Sequence, residues 1–399
     1  MVRDASPWNL TAVGKLGRIV TGKTPPTKRT EYFGDNYPFI TPTDIDQYSR
    51  TVETQRSLSE EGRQYLRNYL LPPRAICFVC IGATIGKICM TKTPSFSNQQ
   101  INTVIADEAN HDPRFVYYLL RHNADYIKAI AGGAATPIIN KSAFSRVELT
   151  VPPFPTQRKI AAILSAYDDL IENNLRRIKI LEEMARLIYR EWFVNFRFPG
   201  HENVKMIDSP LGRIPEGWEI KKTKEVVKRL KAGNTYTMND VEEIGEVIVV
   251  DQSRNEYLGF HSNEADHKAS PDKPIIIFGD HTCKMQLMVE PFSVGPNVVP
   301  FVAVNNLSIY YVFFLVKDLV STQEYKRHWT ELSNKQVAVS LTGITKQFAN
   351  LVIPMFEDIE TLRRKNINLS CTRDLLLPKL ISRELDVSEL DIDIGEEPA

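Results

Sequence analysis

The sequence predicts an α+β fold in which two similar mixed α/β modules are separated by a pair of long antiparallel coiled-coil helices, giving a pseudo-twofold internal repeat. Three observations support it: sequence marks recur in the same order in both halves, long helical patterns follow them, and a segment rich in Pro and Gly divides the halves. The expected segments are a first module at 1–155, a central helix at 156–198, a linker at 199–217, a second module at 218–356, a distal helix at 357–384 and an acidic tail at 385–399.

The internal repeat rests on five marks: an early Trp, a Gly after a short patterned stretch, a β-rich run, an aromatic helix and a Pro-containing close. The pairs are Trp8 and Trp218, Gly22 and Gly233, 75–81 and 274–278, 115–120 and 309–315, and 149–154 and 351–356. The period of about 202–210 residues is too long for a solenoid and indicates a duplicated module.

Both long helices show apolar residues at alternating spacings of four and three, the pattern of a coiled-coil seam. The seam positions are Ile160, Leu164, Tyr167, Ile171, Asn174, Ile178, Leu181, Ala185, Ile188 and Trp192, then Ile359, Leu362, Asn366, Leu369, Arg373, Leu376 and Leu380. Thr156 is a suitable N-cap for the first helix, which is predicted to reach Trp192 and to form a rod of roughly 55 Å. Polar Asn174 is predicted to fix the register, and Pro378 to kink or end the second helix.

Length and composition limit the class of protein. The chain has 399 residues, which allows two or three domains, and 43% hydrophobic residues, which excludes a disordered chain. Its apolar runs are shorter than the ~18 residues of a membrane span, and no apolar signal segment opens the sequence, so a cytoplasmic protein is expected. Five cysteines, an odd number, make a disulfide framework unlikely to be the basis of the fold.

The net charge of zero is a sum over unlike parts. Residues 1–155 carry 18 basic and 13 acidic side chains, whereas 357–399 carry 6 basic and 11 acidic ones. The acidic tail is expected to be exposed, and either mobile or bound to a partner. Basic clusters at 23–29 and 221–231 are either solvated faces or contacts to nucleic acid.

No motif in the sequence predicts catalysis or a metal site. The loop from Gly82 to Lys87 has three residues between its glycines and lacks the Ser or Thr of a phosphate loop. Val151 of the Val-Pro-Pro-Phe segment cannot hold a target amine as the polar residue of a methyltransferase loop does. Cys77 and Cys80 have zinc-knuckle spacing but no second ligand pair. We therefore expect a chain without catalytic residues of its own.

Two modules on a long rigid spacer suit a ligand with two separated recognition elements, and the DNA repeat of ~34–36 Å fits such a spacing. Polar loops with amide and basic side chains supply the candidate DNA contacts. These are Lys23, Thr24, Lys28, Arg29, Asn98, Gln99, Gln100, Thr136, Asn140 and Lys141 in the first module, and Lys231, Asn234, Gln252, Arg254, His281 and Lys284 in the second. Ordinary turn chemistry explains each loop taken singly about as well.

Beyond these patterns, the chain resembles the DNA-specificity subunit of Type I restriction-modification systems. The segments that carry the resemblance are Trp8, Gly17, 22–25, 97–102, 140–142, 151–157, 181–193, 196–198, 211–218 and 375–382. The resemblance implies two target-recognition domains, each reading one half of a split, asymmetric DNA site, with the spacing set by the helices. In the second module, 334–341 replaces the Thr-Pro-x-Asn-Lys loop, and 293–297 replaces the Gln-Gln segment.

The resemblance also implies partners. Two methyltransferase (modification) subunits would dock on the helices and recruit the restriction/translocase subunits, and S-adenosylmethionine, ATP and Mg would belong to those partners, with no cofactor in this chain. The exposed helix positions expected to contact protein are Arg176, Arg177, Glu182, Arg186, Arg190 and Trp192.

Two other functions stay open at the level of sequence. The same helix positions fit a coiled-coil adaptor that scaffolds protein partners without binding DNA. An orphan nuclease or methyltransferase is disfavoured by the missing motifs.

Overall fold

The structure, a computed structural model, describes residues 8–45, 49–131, 137–242, 245–253, 257–322 and 326–394. The chain divides into two compact units, residues 1–174 with 365–399, and residues 175–364. Each unit holds one module together with parts of both long helices. None of the helices among the described residues has the length and apolar character needed to cross a membrane.

The first module is built from short strands and short helices. Its strands are β1 (Asn9–Ala12), β2 (Gly17–Thr21), β3 (Phe33–Gly34), β4 (Tyr37–Ile40), β5 (Ser57–Leu58), β6 (Ile76–Val79), β7 (Ile88–Met90), β8 (Phe96–Ser97), β9 (Ile101–Ala106) and β10 (Glu148–Val151). Its helices are α1 (Val13–Leu16), α2 (Glu60–Tyr65), α3 (Pro113–His122), α4 (Ala124–Ile130) and α5 (Lys141–Arg146), with 3-10 turns at Thr30–Tyr32 and Arg67–Tyr69.

The rest of the chain follows in order. It contains α6 (Phe154–Tyr189), a π-helical turn at Arg190–Val194, a 3-10 turn at His201–Asn203, and the strands β11 (Met206–Ser209) and β12 (Gly212–Pro215). The second module then contains β13 (Trp218–Lys222), a 3-10 turn at Thr223–Glu225, β14 (Val227–Arg229), β15 (Val247–Val250), β16 (Gly259–His261), β17 (Ile275–Gly279), β18 (Met285–Met288), β19 (Phe292–Val294), β20 (Val298–Ala303), α7 (Ile309–Val316), α8 (Trp329–Asn334) and β21 (Gln336–Ser340). The last long helix is α9 (Ile344–Ile381).

Strand β6 lies inside the first module and is covered on both faces. Side chains alternate along a strand, and here Ile76 and Phe78 face one apolar cluster whereas Cys77 and Val79 face another. All four residues are buried, which explains the continuous apolar run in the sequence. Cys77 and Cys80 therefore belong to the core region, and both are free thiols.

The internal repeat is confirmed by sheet topology. The order β14-β20-β17-β18 reproduces β2-β9-β6-β7, and the sheet β16-β15-β19 matches three strands of β3-β5-β4-β8. In both smaller sheets one pair is parallel, β15 with β19 and β4 with β8. Finally, the first and last strands of each module pair with each other, β1 with β10 and β13 with β21.

One predicted repeat mark is wrong. Asn9 pairs with Val151 and Glu219 pairs with Val339, so the counterpart of strand β10 is β21. Residues 351–356 lie instead inside α9, where Val352 and Phe356 are buried one helical turn apart. The second module therefore ends near Ser340, and 341–356 belongs mainly to the distal helix.

Both long helices differ from their predicted bounds. Helix α6 begins at Phe154 and ends at Tyr189. The residues expected to form its last turn belong to the π-helical turn Arg190–Val194. Helix α9 begins at Ile344 instead of 357, so it is longer than α6, with 38 residues against 36. Pro378 does not end α9, because it lies only three residues before the final residue and removes a single backbone donor.

The two long helices pair antiparallel within each unit. In the first unit, Asn174 Nδ2 donates a hydrogen bond of 2.8 Å to Asn366 Oδ1. Lys159 Nζ, at the other end of its segment, donates a hydrogen bond of 2.6 Å to the carbonyl of Ser388. In the second unit, Arg363 Nη2 of α9 lies 3.3 Å from Glu182 Oε1 of α6. Residues later in α6 thus contact residues earlier in the C-terminal part of the chain, as in an antiparallel pair. The polar seam residue Asn174 pairs with Asn366, the polar seam residue of α9.

A buried polar network joins the first module to the helix pair. Arg373 of α9 and Asp168 of α6 are 0% and 1% exposed and form an ion pair. The Tyr118 hydroxyl of α3 donates to the same carboxylate. Arg373 also donates to Asp374, at 2.9 Å and 3.0 Å, and Arg50 donates to Asp169 at 2.6 Å. The second module has an apolar contact between α7 and the long helix: Phe314 of α7 packs against Phe348 and Phe356 of α9.

The acidic tail differs from its expected behaviour. Val387 is 4% exposed and belongs to the apolar cluster of the first unit, against which Ile392 also packs. The hydrogen bond from Lys159 to Ser388 holds the same segment. The segment is therefore anchored to the first unit at Val387, Ser388 and Ile392, whereas Leu385, Leu390 and the tail carboxylates are exposed, as expected.

A carboxyl pair lies in the second unit. The side chains of Glu360 and Glu290 are only 15% and 16% exposed. Burial, followed by the hydrogen bond and charge of Glu290, raises the pKa of Glu360 from 4.5 to about 8, while Arg363 and Arg364 act in the opposite direction. The folded state then binds a proton more tightly than the unfolded state, so this contribution to stability is present below pH 4.5 and is lost as pH rises through about 8.

We expect the free energy of unfolding of the second unit to decrease as pH rises from 4.5 to about 8. Glu360→Gln should remove most of this pH dependence, because the amide stays uncharged throughout. Urea unfolding at several pH values, with hydrogen exchange of residues 344–364, measures the effect. Glu357→Gln, an exposed position on the same helix, is the matched control. An unchanged pH dependence in Glu360→Gln would contradict the assignment.

Candidate nucleic-acid interface

Four segments of the first module meet at one surface, the first loop surface, made of residues 22–24, 80–87, 97–101 and 137–141. Backbone hydrogen bonds join them in sequence. They run from Lys23 N to Ser97 O (2.9 Å), Gly22 N to Ile101 O (3.0 Å), Cys80 N to Gln100 O (2.8 Å), Ile139 N to Cys80 O (2.9 Å) and Gly82 N to Pro137 O (3.0 Å). The fold therefore brings together loops that lie far apart in the sequence.

Gly22 allows the closest of these approaches. A Cβ atom at this position would lie 2.2 Å from the carbonyl oxygen of Asn98 and 2.3 Å from that of Ser97. Both neighbours are backbone atoms, which cannot rotate away as the end of a side chain can. Next to this contact, Thr24 Oγ1 donates a hydrogen bond of 2.6 Å to Gln99 Oε1. Two predicted DNA contacts from separate segments therefore touch each other.

The predicted contacts of the first module differ in exposure. Lys23, Gln99, Asn140 and Lys141 are exposed on the first loop surface, where the Asn140 carboxamide caps α5 by accepting from Ala143 N at 2.9 Å. Thr24 and Gln100 are half-buried there, Lys28 and Arg29 are exposed on the adjoining turn, and Thr136 lies outside the described residues. Arg29 pairs with Glu31 at 3.2 Å.

Asn98 has a different place from the one predicted. It is 8% exposed, its Nδ2 donates to Gln100 Oε1 at 3.0 Å, and its Oδ1 accepts from Gln100 N at 3.1 Å. Both ends of the amide are used inside the loop. Asn98 therefore shapes the segment, and the exposed amide beside it is Gln99.

The second module repeats the arrangement in a second loop surface, made of residues 233–236, 251–253, 279–284, 293–297 and 326–330. Its joining hydrogen bonds run from Tyr236 N to Val294 O (3.1 Å), Gly295 N to Val250 O (2.9 Å), Asp280 N to Asn297 O (2.8 Å), His328 N to Asp280 O (2.8 Å) and His281 N to Gln252 Oε1 (3.1 Å). Asp280 and His328 thus repeat the bonding of Cys80 and Ile139.

This correspondence settles which segments of the second module replace the first module's loops. Residues 293–297 precede β20 as 97–100 precede β9, in agreement with the prediction. The counterpart of the Asn-Lys loop is not 334–341, however, because most of that stretch forms β21. Residues 326–328 take that place, directly before α8. Lys326, Arg327 and His328 were thus missed, although the short helix after each loop was a usable signal.

The predicted contacts of the second module are mostly engaged within it. Lys231 is exposed, and Asn234 donates to Asp266 Oδ1 through its backbone N (3.1 Å) and its side chain (3.3 Å). Lys284 is half-buried and donates to the carbonyl of Asp251 at 3.3 Å. His281 Nδ1 lies 3.1 Å from the Lys326 carbonyl oxygen, and Gln252 Oε1 accepts a hydrogen bond from the backbone N of His281. Arg254 lies outside the described residues.

Arg327 is an exposed cation of the second loop surface. Its side chain is 76% exposed, and its Nε lies 3.9 Å from Asp280 Oδ2. Asp280 Oδ1 meanwhile accepts from the backbone N of His328 (3.0 Å) and of Trp329 (2.8 Å). The carboxylate is thus committed to holding the segment, and the guanidinium of Arg327 projects from it.

The chemistry of both surfaces is that of recognition. Burial raises the pKa of the Cys80 thiol to about 11, so it stays protonated at neutral pH and is a poor nucleophile. Among the described residues, no group of three or more His, Cys, Asp or Glu side chains could hold a metal ion. What the loops present is amide groups and cations, the side chains that contact base edges and phosphates.

Helix α6 and the turn after it carry the residues predicted to bind protein partners. Arg176, Arg177 and Arg190 are exposed, Arg186 pairs with Glu183 at 2.8 Å, and Glu182 pairs with Arg363. Trp192 differs, because its half-buried ring packs against Phe348 with centroids 6.2 Å apart. An exposed apolar row was missed by the sequence reasoning: Ile180 (52%), Met184 (45%), Leu187 (45%) and Val194 (57%).

Comparison with known proteins agrees with this architecture. Residues 5–183 match the family model for the Type I restriction modification DNA specificity domain. The Type I restriction enzyme MjaIX specificity subunit of Methanocaldococcus jannaschii is 28% identical over 412 residues, covering 96% of this chain and 94% of that protein. The HindI specificity subunit of Haemophilus influenzae is 34% identical over 190 residues, covering 46% of this chain and 40% of that protein.

The fold has a counterpart among solved structures. The crystal structure of a Type I restriction-modification S subunit from M. genitalium has a TM-score of 0.52 and 15% identity, covering 95% of this chain and 97% of that one. The shared fold defines a class of proteins with two related α/β modules and two long helices. By sequence, the chain is similar over most of its length to a DNA-specificity subunit of a Type I restriction-modification system, which confirms the predicted resemblance.

Proposed function

We propose that the chain is the sequence-specific DNA-binding subunit of a Type I restriction-modification complex and that each loop surface contacts one half of a bipartite, asymmetric site. The observation that carries the proposal is the repeated bonding pattern of the two surfaces. The same backbone framework holds Gln99 and Lys141 in one module and Arg327 in the other. A shared framework with different exposed side chains suits two readers of different sequences.

The exposed side chains have complementary tasks in this proposal. Gln99 is suited to pair with adenine, and Arg327 with guanine, through bidentate hydrogen bonds in the major groove. Lys23, Lys141 and Lys231 supply charge for phosphates, which positions the module without selecting sequence. The first module, with 18 basic and 13 acidic residues in 1–155, carries more of this charge than the second.

The partners follow from the family. We propose that two methyltransferase subunits and the restriction subunits assemble on this chain, that S-adenosylmethionine, ATP and Mg bind to them, and that this chain carries no catalytic residues. The exposed cations Arg176, Arg177 and Arg190, with the exposed apolar row, support a protein contact on α6 and the turn after it. A cytoplasmic location is a prediction that follows from the DNA partner.

Module exchange tests the proposal. The chain is coexpressed with the methyltransferase subunits of its own system, and methylated sites are mapped by sequencing. Replacing residues 1–153, which stop before α6, by the same module of a relative should change one half-site and leave the other half-site and the spacing unchanged. A change in both half-sites, or in neither, would contradict the assignment of one module to each half.

The second candidate is an adaptor that binds proteins without binding DNA. It is favoured by the exposed apolar row at Ile180, Met184, Leu187 and Val194, which is unusual for a free helix surface. A filter-binding assay separates the two functions. Retention of the complex on its mapped site over a scrambled duplex supports the specificity subunit, whereas retention of neither duplex, or of both equally, supports the adaptor.

A further inference from the structure

One cation on the first loop surface is held over aromatic rings. The Lys23 ammonium lies 5.9 Å from the ring centroid of Tyr65 and 5.5 Å from that of Tyr69. These distances fall within the ~6 Å range of a cation–π interaction. Lys23 is itself exposed, and its backbone N is tied to Ser97 O at 2.9 Å. Both ends of the residue are therefore positioned by the module.

The rings that hold Lys23 are fixed in turn. Tyr65 stacks on Tyr32 with centroids 4.7 Å apart and an interplanar angle of 16°. Tyr65 ends helix α2, whose N-terminus is capped by Ser59 accepting from Gly62 N at 3.1 Å. Tyr65 is nevertheless 46% exposed, so the aromatic pair faces solvent beside the loop surface. The lysine is thus preorganised in an open position.

The second module holds a cation in a comparable way. The Arg229 guanidinium lies 6.0 Å from the ring of Trp329. Trp329 follows 326–328, its backbone N donates to Asp280 Oδ1 at 2.8 Å, and its ring packs 5.4 Å from Phe301. The indole is therefore anchored at the edge of the second loop surface. Arg229 lies in the basic cluster 221–231 but was not among the individual candidate DNA contacts.

Neither cation is neutralised by a carboxylate in the part of the chain that the structure describes. Across the described residues, no carboxylate lies within ion-pair distance of Lys23 or Arg229, whereas Arg29, Arg63 and Arg327 each have one. An aromatic ring restrains a cation without cancelling its charge. A side chain that is restrained, charged and exposed suits an anion that arrives from outside the protein, with little ordering left to do on binding.

We propose that Lys23 and Arg229 are preset phosphate ligands, positioned by Tyr65 and Tyr69 in one module and by Trp329 in the other, and that each clamps the DNA backbone beside its half-site. The inference rests on the proposed function, because it takes duplex DNA as the ligand. It adds the aromatic residues as positioning residues and Arg229 as a phosphate contact.

The test uses the full chain in its complex with the methyltransferase subunits and a duplex carrying the mapped site. Lys23→Ala and Arg229→Ala should each lower the slope of log affinity against log salt by about 0.9, the value for one lost phosphate contact on B-DNA. Both variants should keep the wild-type methylation sequence, because a phosphate contact does not select bases. An unchanged salt slope, or a relaxed methylation sequence, overturns the proposal.

Variants of the rings separate positioning from structure. Tyr65→Leu with Tyr69→Leu should weaken binding several-fold at every salt concentration with the slope unchanged, because the ammonium keeps its charge but loses its restraint. Tyr65→Phe with Tyr69→Phe should restore the affinity, because the ring faces remain. Failure of the Phe pair to restore it overturns the role of the rings.

Lys92→Ala is the matched control. Lys92 is an exposed lysine at the open end of the β6–β7 hairpin, opposite the turn of residues 80–87, and should leave the slope unchanged. If Lys92→Ala lowers the slope as much as Lys23→Ala does, the effect is one of net charge and the proposal fails. If the wild-type complex prefers its site no more than a scrambled duplex, the proposed function itself fails.

Discussion

Replacing Arg373 by methionine should lower the free energy of unfolding of the first unit by about 3–5 kcal/mol, the largest stability effect we expect from one substitution. Asp168, at 1% exposure, would lose the guanidinium and, among the described residues, keep the Tyr118 hydroxyl as its hydrogen-bond donor. Urea unfolding measures the loss. Hydrogen exchange should place it in residues 154–174 and 365–381 and leave the second module protected as before.

The double variant Arg373→Met with Asp168→Leu controls for the origin of this effect. Removing both charges together leaves no unpaired ion, so much of the stability should return. Lys365→Met, an exposed cation on the same helix, should change stability by less than about 0.5 kcal/mol. A single variant as stable as the wild type would show that the buried pair contributes nothing.

Gly22→Val should abolish recognition of the first half-site, the largest functional effect we expect. Its Cβ would lie within 2.5 Å of three atoms of residues 97–98, two of them backbone oxygens, so segments 22–24 and 97–101 must separate. Loss of the Gln99 base contact, at ~1–3 kcal/mol, corresponds to an affinity decrease of roughly 5- to 160-fold. Methylation mapping should show a degenerate first half-site beside an intact second one.

Gly343→Ala is the control for the glycine substitution. No atom lies within 4 Å of its added Cβ, and its φ is not in the left-handed region, so DNA affinity and the methylation pattern should stay unchanged. Retention of both half-sites in Gly22→Val would mean that the contact between the two segments is not needed for recognition.

Elements with a regular period could be predicted from sequence. The spacing of Ile160, Leu164 and Ile171 is a local signal of the seam, and all three are buried as it requires. Asn174 could be recognised as a register residue because a polar side chain interrupts an apolar series. The two-module architecture could likewise be predicted, because the same sequence marks recur in the same order in both halves and this inference depends on no single contact.

Features that depend on long-range pairing could not be predicted. The partner of Arg373 is 205 residues away in sequence, so its burial has no local signature. The loop surfaces are likewise assembled by backbone bonds such as that between Ile139 and Cys80, which any residue type could make. The start of α9 was misplaced because Pro354 made an interior turn resemble the Pro-containing close of the first module.

The pairing of first and last strands has a consequence for how such proteins change over generations. Because β1 lies against β10 and β13 against β21, the chain enters and leaves each module at neighbouring points. A gene segment that encodes everything between those points can be exchanged by recombination with little disturbance of the helices outside it. A new recognition sequence can then be inherited in one event, without a series of adaptive point mutations.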